Sequence, residues 1–245
     1  MSSAREQFAK VARAYATSTA HARGEDLVLL ASLVPPSVPL VDVGTGAGHV
    51  LAAVGGRASL ALGLDATPEM LAVARDVLRE RRVSARLVQA DAAALPLADA
   101  AAGAVTSRLA AHHFPRVDAA FREVARVLRP RASFYFIDNY APEDEALDRW
   151  IDELERTRDP SHVRSHTLAG WQRLLRGAGL EPRVEATLHT ELRTDDWLAR
   201  SQTPPGRADH ARAMLRGASA AARETFRIHD DGFSLLKAFV IATRR

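Results

Sequence analysis

Val41-Asp42-Val43-Gly44-Thr45-Gly46-Ala47-Gly48-His49 is the stretch on which the reading of this chain turns. An apolar run from Val38 to Val43, with Asp42 inside it, feeds directly into three glycines, and a helical pattern follows. The pattern predicts a strand, a tight glycine turn and a helix start. Backbone without Cβ atoms can press against a ligand and can adopt positive φ. The first N–H groups of the following helix are then available to polar ligand atoms.

The spacing discriminates among ligands. Dinucleotide sites carry G-x-G-x-x-G, with the third glycine needed for helix packing near a pyrophosphate. Here the spacing is G-x-G-x-G, and His49 stands where that third glycine belongs. Asp42, two residues before Gly44, would repel a pyrophosphate and suits a ligand that carries positive charge. Downstream, short apolar runs alternate with helical patterns. Leu60 to Leu64 ends in Asp65, about 20 positions after Gly44, where an acid at a strand end can grip a ribose diol. Thr67-Pro68 reads as a helix N-cap with proline at the first helical position. Arg86 to Asp91 reads as a third strand, Ala102 to Ser107 as a fourth, and Ser133 to Ile137 as a fifth that leads into Asp138. A helix from Val117 to Leu128 separates the last two. Such alternation predicts an open parallel sheet with helices on both faces.

In this order the segments resemble class I S-adenosylmethionine (SAM)-dependent methyltransferases. The resemblance rests on the glycine loop, on GLDATPEML and QADAAALPL after the second and third strands, on HHF after the fourth, and on EVARVLRP. It is closest to the small-molecule branch that includes quinone and sterol C-methyltransferases. It covers residues 38–140 and extends through 158–182 and the final run FSLLKAFVIATRR. The resemblance implies a Rossmann-like α/β fold with seven strands, mostly parallel, the last (Leu235 to Thr243) antiparallel. It implies one domain over 1–245: a helical lid at 1–34, a SAM-binding core at 38–140, a helical cover and substrate region at 141–230, and a final strand at 231–245. Helices are expected near Glu6 to Ala16 and Glu25 to Val34, stopped by Pro35-Pro36. Others are expected near Glu143 to Arg156, Thr167 to Gly177 and Ala208 to Arg223, around a strand near Arg183 to Leu192. The chain departs from the family at Pro130-Arg131-Ala132, where Pro-Gly-Gly is usual.

SAM carries a sulfonium and an ammonium and no phosphate, which suits the acid before the loop. By resemblance Gly44, Thr45, Gly46 and Gly48 form the cradle, and Asp42 acts near the methionine end through water. Asp65, with Ala66 beside it, holds the ribose, and Asp91 with the Ala92 N–H holds the adenine. Tyr15 closes the pocket as an aromatic wall, or else packs within an amphipathic helix. Arg108 touches the methionine portion or forms a surface salt bridge.

His112-His113-Phe114 lies just past strand four, at the carboxyl edge where open α/β sheets bind ligands. An imidazole there can take a proton from a substrate hydroxyl or acidic carbon; the alternative is packing or capping. Asp138 is the further candidate for handling a proton. His162 and His166 have helical spacing for a metal pair, but no acid or third histidine adjoins them in a recognisable motif, so no metal is expected. No Asn/Asp-Pro-Pro-Tyr/Phe motif follows strand four, where Ser107-Arg108-Leu109-Ala110 stands, which disfavours base methylation.

Composition agrees with a globular protein. Hydrophobic residues make up 47%, enough for a substantial core. The absence of cysteine excludes disulfides, thiolate metal sites and cysteine nucleophiles. Net charge is only +3, and arginines alternate with acids, so no nucleic-acid footprint is seen. No signal-peptide core and no membrane-span run occur, which makes a cytoplasmic monomer or homodimer the expectation. The reading is SAM-dependent methyl transfer to a small, largely apolar molecule by in-line displacement. Its rivals are a nicotinamide-dependent oxidoreductase and a non-enzymatic SAM-binding regulator.

Overall fold

The structure is a computed structural model that describes residues 4–16 and 24–245, without the side chains of 14–16. Seven strands form one sheet: β1 (Pro39–Val43), β2 (Leu60–Asp65), β3 (Arg86–Gln89), β4 (Ala102–Arg108), β5 (Leu128–Asn139), β6 (Leu180–Arg193) and β7 (Gly232–Arg244). Their order is β3-β2-β1-β4-β5-β7-β6. β1 to β5 pair in parallel, and β7 inserts antiparallel between β5 and β6. The sheet therefore changes direction of growth between β1 and β4, where a crevice opens at the carboxyl ends of the strands.

Burial on both faces explains the apolar runs of the central strands. Along β5, Phe134 and Phe136 enter one core with Phe121 and Trp171, while Tyr135 and Ile137 enter the opposite core with Leu30 and Leu51. The first core lies under α5 (Val117–Val127) and α7 (Leu168–Gly177). The second lies under α2 (Glu25–Leu33), α3 (His49–Val54) and α4 (Pro68–Glu80). A third core, with Ile151, Trp197, Leu215, Phe226 and Phe233, belongs to the segment between β5 and β7. It gathers α6 (Glu145–Arg158), α8 (Thr194–Arg200), α9 (Pro205–Arg216) and α10 (Ala220–Thr225) around the far halves of β6 and β7. Ahead of the sheet, α1 (Ala4–Ala16) packs on α4 and α8. It is tied there by Gln7 Nε2, which donates to the Ser201 carbonyl at 2.8 Å.

Several local expectations change. The helix expected over Ala208 to Arg223 is two helices, broken at Gly217 and restarted by Ser219, whose hydroxyl accepts the Ala222 N–H at 3.2 Å. α8 was not legible in its short, charged sequence. The third strand stops at Gln89, which leaves Asp91 on the loop beyond it. Thr67 occupies the N-cap position of α4, but its side chain caps nothing; Asp65 Oδ1 accepts the Thr67 N–H instead, at 2.9 Å. β5 begins early, at Leu128, and its pairing with β4 shifts register before Ser133. Arg131, at the departure from Pro-Gly-Gly, sits in this irregularity with φ +66°, a conformation that favours glycine. Among the described residues no helix is long and apolar enough to cross a membrane.

Candidate active site

The glycine loop leaves β1 and turns back under the end of β2. Gly44, Gly46 and Gly48 all have positive φ, and each has a different surrounding. A Cβ on Gly44 would meet the Ala110 methyl at 2.5 Å, and one on Gly48 would meet Ala74 of α4 at 3.1 Å. At Gly46 a Cβ would project into open space, so the backbone there is bare toward the crevice. Four of the loop's own N–H groups are taken up within the protein. Those of Gly44 and Thr45 donate to the Leu64 carbonyl, that of Gly48 to Thr45, and that of Gly46 to Asp65 Oδ2 at 2.8 Å.

The three strand-end acids have different environments. Asp42 is fully buried, and its two oxygens accept the hydroxyls of Thr45 and Thr106, each at 2.7 Å. Burial pushes its carboxyl up to about 6, against the lowering effect of those hydrogen bonds. Asp65 accepts the Gly46 and Thr67 N–H groups and thereby locks the loop to the end of β2; burial raises its carboxyl above the ordinary value. Asp91 is exposed, accepts the Ala93 N–H at 2.8 Å and meets Arg116 at 3.0 Å.

Arg108, at the end of β4, is not in a surface salt bridge. Its side chain is 4% exposed, and its Nε donates to Asp26 Oδ2 at 2.6 Å. Lys237 of β7 reaches the same carboxylate at 3.2 Å. Burial alone would raise the Asp26 carboxyl, but the two cations outweigh it and hold it below its usual value. This triad fixes α2 to the carboxyl ends of β4 and to β7.

The adjacent histidines are shifted in opposite directions. Asp138 is wholly buried and accepts the N–H groups of Ala111, His112 and Asn139 at 2.8, 3.3 and 2.7 Å. It also lies 2.5 Å from His112 Nδ1. Burial disfavours a charged His112, yet the Asp138 charge and hydrogen bond prevail and raise its pKa. His113 is buried without a carboxylate. Burial and then the neighbouring His112 and His162 rings push its pKa well below 6.5. Its Nδ1 lies 3.1 Å from the Ser161 carbonyl, which can only accept. The proton therefore sits on Nδ1, and Nε2 presents a lone pair.

The residues picked out from sequence, apart from Gly48, His112, Asp138 and Tyr15, line one cavity of about 220 Å³ in the crevice. Ala66 and Ala92 are on its wall with the acids. A second, smaller cavity adjoins it and shares Phe8, Leu109 and His113. His112 faces only the second cavity, and Asp138 lines neither, so Asp138 acts behind His112 rather than on a ligand. The Tyr15 side chain lies outside the described residues. His162 and His166 do not share a helix: residues 162–166 form neither helix nor strand, and His166 stacks edge-on to Trp171 at 4.7 Å. Among the described residues no group of His, Cys, Asp and Glu is arranged for a metal. Phe8, Asp26, Lys237 and Trp197 were missed. Phe8 meets the His113 ring edge-on at 4.8 Å, and no sequence signal near it points to strand four.

Comparisons with known proteins agree with this geometry. A family model described as a methyltransferase domain matches residues 41–136. The uncharacterized methyltransferase YcgJ of Bacillus subtilis is 38% identical over 222 residues, covering 89% of this chain and 88% of that protein. Its crystal structure superimposes with a TM-score of 0.85 at 34% identity, over 90% of this chain and 98% of that one. A demethylmenaquinone methyltransferase of Thermus thermophilus is 38% identical over 37% of this chain and 42% of its own length. A geranyl diphosphate methyltransferase in complex with SAM shares the fold, with a TM-score of 0.62 at 16% identity over 92% of this chain and 85% of that one. With its glycine loop, strand-end acids and sheet order on the same scaffold, the chain belongs to the class I SAM-dependent methyltransferases.

Proposed function

We propose that this enzyme transfers the methyl group of SAM to a small, largely apolar molecule by in-line displacement. The observation that carries the proposal is the neutral His113 on the wall common to the two cavities. One cavity suits the cofactor. Its bare Gly46 backbone admits a ligand closely, and its acids suit a cationic ligand rather than a diphosphate. Bound there, SAM supplies an electrophilic methyl carbon whose bond to sulfur breaks with both electrons staying on sulfur, leaving a neutral thioether.

The residues would divide the work as follows. Gly44, Thr45 and Gly46 shape the floor, and Asp65 with Ala66 meets the ribose. Asp91 and Ala92 meet the adenine, and the cationic Arg108 end of the triad meets the methionine carboxylate. Ala4, Arg5 and Phe8 of α1 line the cavity, where a lid would lie. His113 Nε2 accepts the proton of the acceptor X–H as the X–C bond forms, so charge balances at each atom. Low basicity keeps His113 unprotonated and competent through neutral pH. Asp138 holds the His112 ring in place beside His113 through Nδ1.

The test is methyl-labelled SAM incubated with a cytoplasmic extract and the enzyme. Label is expected in a low-mass product with wild type and at a greatly reduced rate with His113→Ala. Label in macromolecules alone would overturn the small-molecule reading. Tight SAM binding with no transfer to any fraction would favour the regulator.

A further inference from the structure

The second cavity has a chemistry of its own. It opens beside His113, among His112, Asn139, Glu155, Arg158, Thr190 and Trp197, and Arg200 completes its charged wall. Leu109, Leu192 and Leu235 give it an apolar body. Its lining side chains include buried polar atoms without a hydrogen-bond partner among the described residues: the donors Trp197 Nε1 and Thr190 Oγ1, and the acceptor Glu155 Oε1, whose carboxylate stands opposite Arg158. Trp197 is 1% exposed. Buried donors are ordinarily satisfied, and leaving one unmade is costly. The indole N–H can only donate, and the threonine hydroxyl can do so. Around them stand two guanidiniums and one carboxylate, with Arg158 Nη1 and Glu155 Oε2 3.9 Å apart. A wall with spare donors and a cationic excess is complementary to an anionic oxygen.

We propose, on the methyltransferase reading above, that the acceptor is a compact carboxylate-bearing molecule. Its anionic oxygens take the Trp197 Nε1–H and the Thr190 hydroxyl in the field of Arg158 and Arg200, and its apolar part lies along Leu192 and Leu235. This anchor directs the nucleophilic atom back toward His113, where the second cavity meets the first. α8, which carries Trp197 and Arg200, and the far half of β6, which carries Thr190, thereby become the specificity-determining elements.

The probes are benzoate, 4-hydroxybenzoate and 2-oxobutanoate, each paired with its neutral primary amide and titrated into enzyme saturated with S-adenosylhomocysteine. At least one carboxylate should bind about tenfold or more tighter than its amide, the discrimination given by one or two charge-assisted hydrogen bonds. Thr190→Val should reduce that preference severalfold, and Trp197→Phe should do the same while keeping the ring against Phe233. Affinity for S-adenosylhomocysteine should be unchanged in both variants, which separates a failure here from a failure of the cofactor assignment. Should Trp197→Phe fold poorly, Thr190→Val carries the test alone. Equal affinity, or no affinity, for every carboxylate–amide pair overturns the proposal. So does a preference that both substitutions leave intact.

Discussion

The crevice at the ends of β1 to β3 and the cavity at the far ends of β5 to β7 are built from different materials. Backbone makes much of the first wall, where Asp42, Asp65 and Asp91 stand with Arg5, Arg108 and Arg116; side chains make the second, with Arg158 and Arg200 against the single carboxylate of Glu155. The first is held by bonds at the ends of adjacent strands, such as Asp65 to Gly46 and Thr67. The second draws on α1, the β4 loop, α6, β6, α8 and β7. The difference teaches how one sheet can offer two unlike sites: on the proposed reading the first would take the sulfonium donor and the second a carboxylate-bearing acceptor. His113 and Phe8 are where the two environments meet.

The largest expected effect is at that junction. His113→Ala should lower turnover by about 10²–10⁴-fold, the usual contribution of a positioned general base. Affinity for S-adenosylhomocysteine should stay within about twofold, the pattern of an interaction made mainly in the transition state. Single-turnover rates and calorimetry check the two halves. Unchanged turnover per folded molecule would leave only packing as the role of this ring.

The triad that joins the two regions comes next. Asp26→Ala leaves Arg108 and Lys237 buried without their carboxylate, a change that ordinarily costs about 3–5 kcal/mol. Urea unfolding at neutral pH measures it. A loss below about 1 kcal/mol would show that the triad does not fix α2 to the sheet.

The histidine pair sharpens the contrast through pH. His113 is depressed, so the stability it contributes is present above about 6.5 and is lost as pH falls below that value. His112 is raised, so its contribution is fully present below about 6.5 and is lost as pH rises through its folded pKa. His113→Gln should therefore flatten the acid side of the stability profile, and His112→Gln the alkaline side. Unfolding curves at pH 5, 7 and 9 distinguish them, and identical profiles would contradict the opposite shifts of the two rings.

The smallest effect is far from both cavities. Arg131 is exposed at φ +66°, where an L side chain is strained by about 1–2 kcal/mol. Glycine relieves that strain but gains freedom in the unfolded chain worth about 0.4–1 kcal/mol. Arg131→Gly should raise Tm by a few degrees with turnover unchanged. A fall in Tm would mean that the arginine makes compensating contacts.

Much of the first region was legible in sequence because its cause is local. Glycines at 44, 46 and 48, an acid inside the preceding apolar run, and acids after the next two strands are all readable as spacing. The parallel α/β sheet followed from alternation, and its seven strands with the last antiparallel followed from the resemblance. What failed was the bonding within the loop: nothing in the spacing said that Gly46 would donate to Asp65, because that bond depends on how β1 and β2 register. The second region was illegible for the same reason on a larger scale. Trp197 and Arg158 come together only after β6 and β7 extend past β5 and fold α6 and α8 against them. Asp26 looked like an ordinary acid in a first helical turn. The histidines were found from their place after strand four, but their opposite shifts depend on Asp138 and Ser161, the latter far along the chain.

A calorimetric titration of S-adenosylhomocysteine and of NAD into wild type and Asp65→Ala bears most directly on the division between the two regions. Saturable one-site binding of S-adenosylhomocysteine to wild type is expected, with no binding of NAD. Asp65→Ala should weaken it by about 1–3 kcal/mol, or roughly 5- to 150-fold, the cost of unmade charge-assisted hydrogen bonds. Saturable NAD binding with none of S-adenosylhomocysteine, or equal affinity in wild type and variant, would contradict the placement of the cofactor at the ends of β1 and β2.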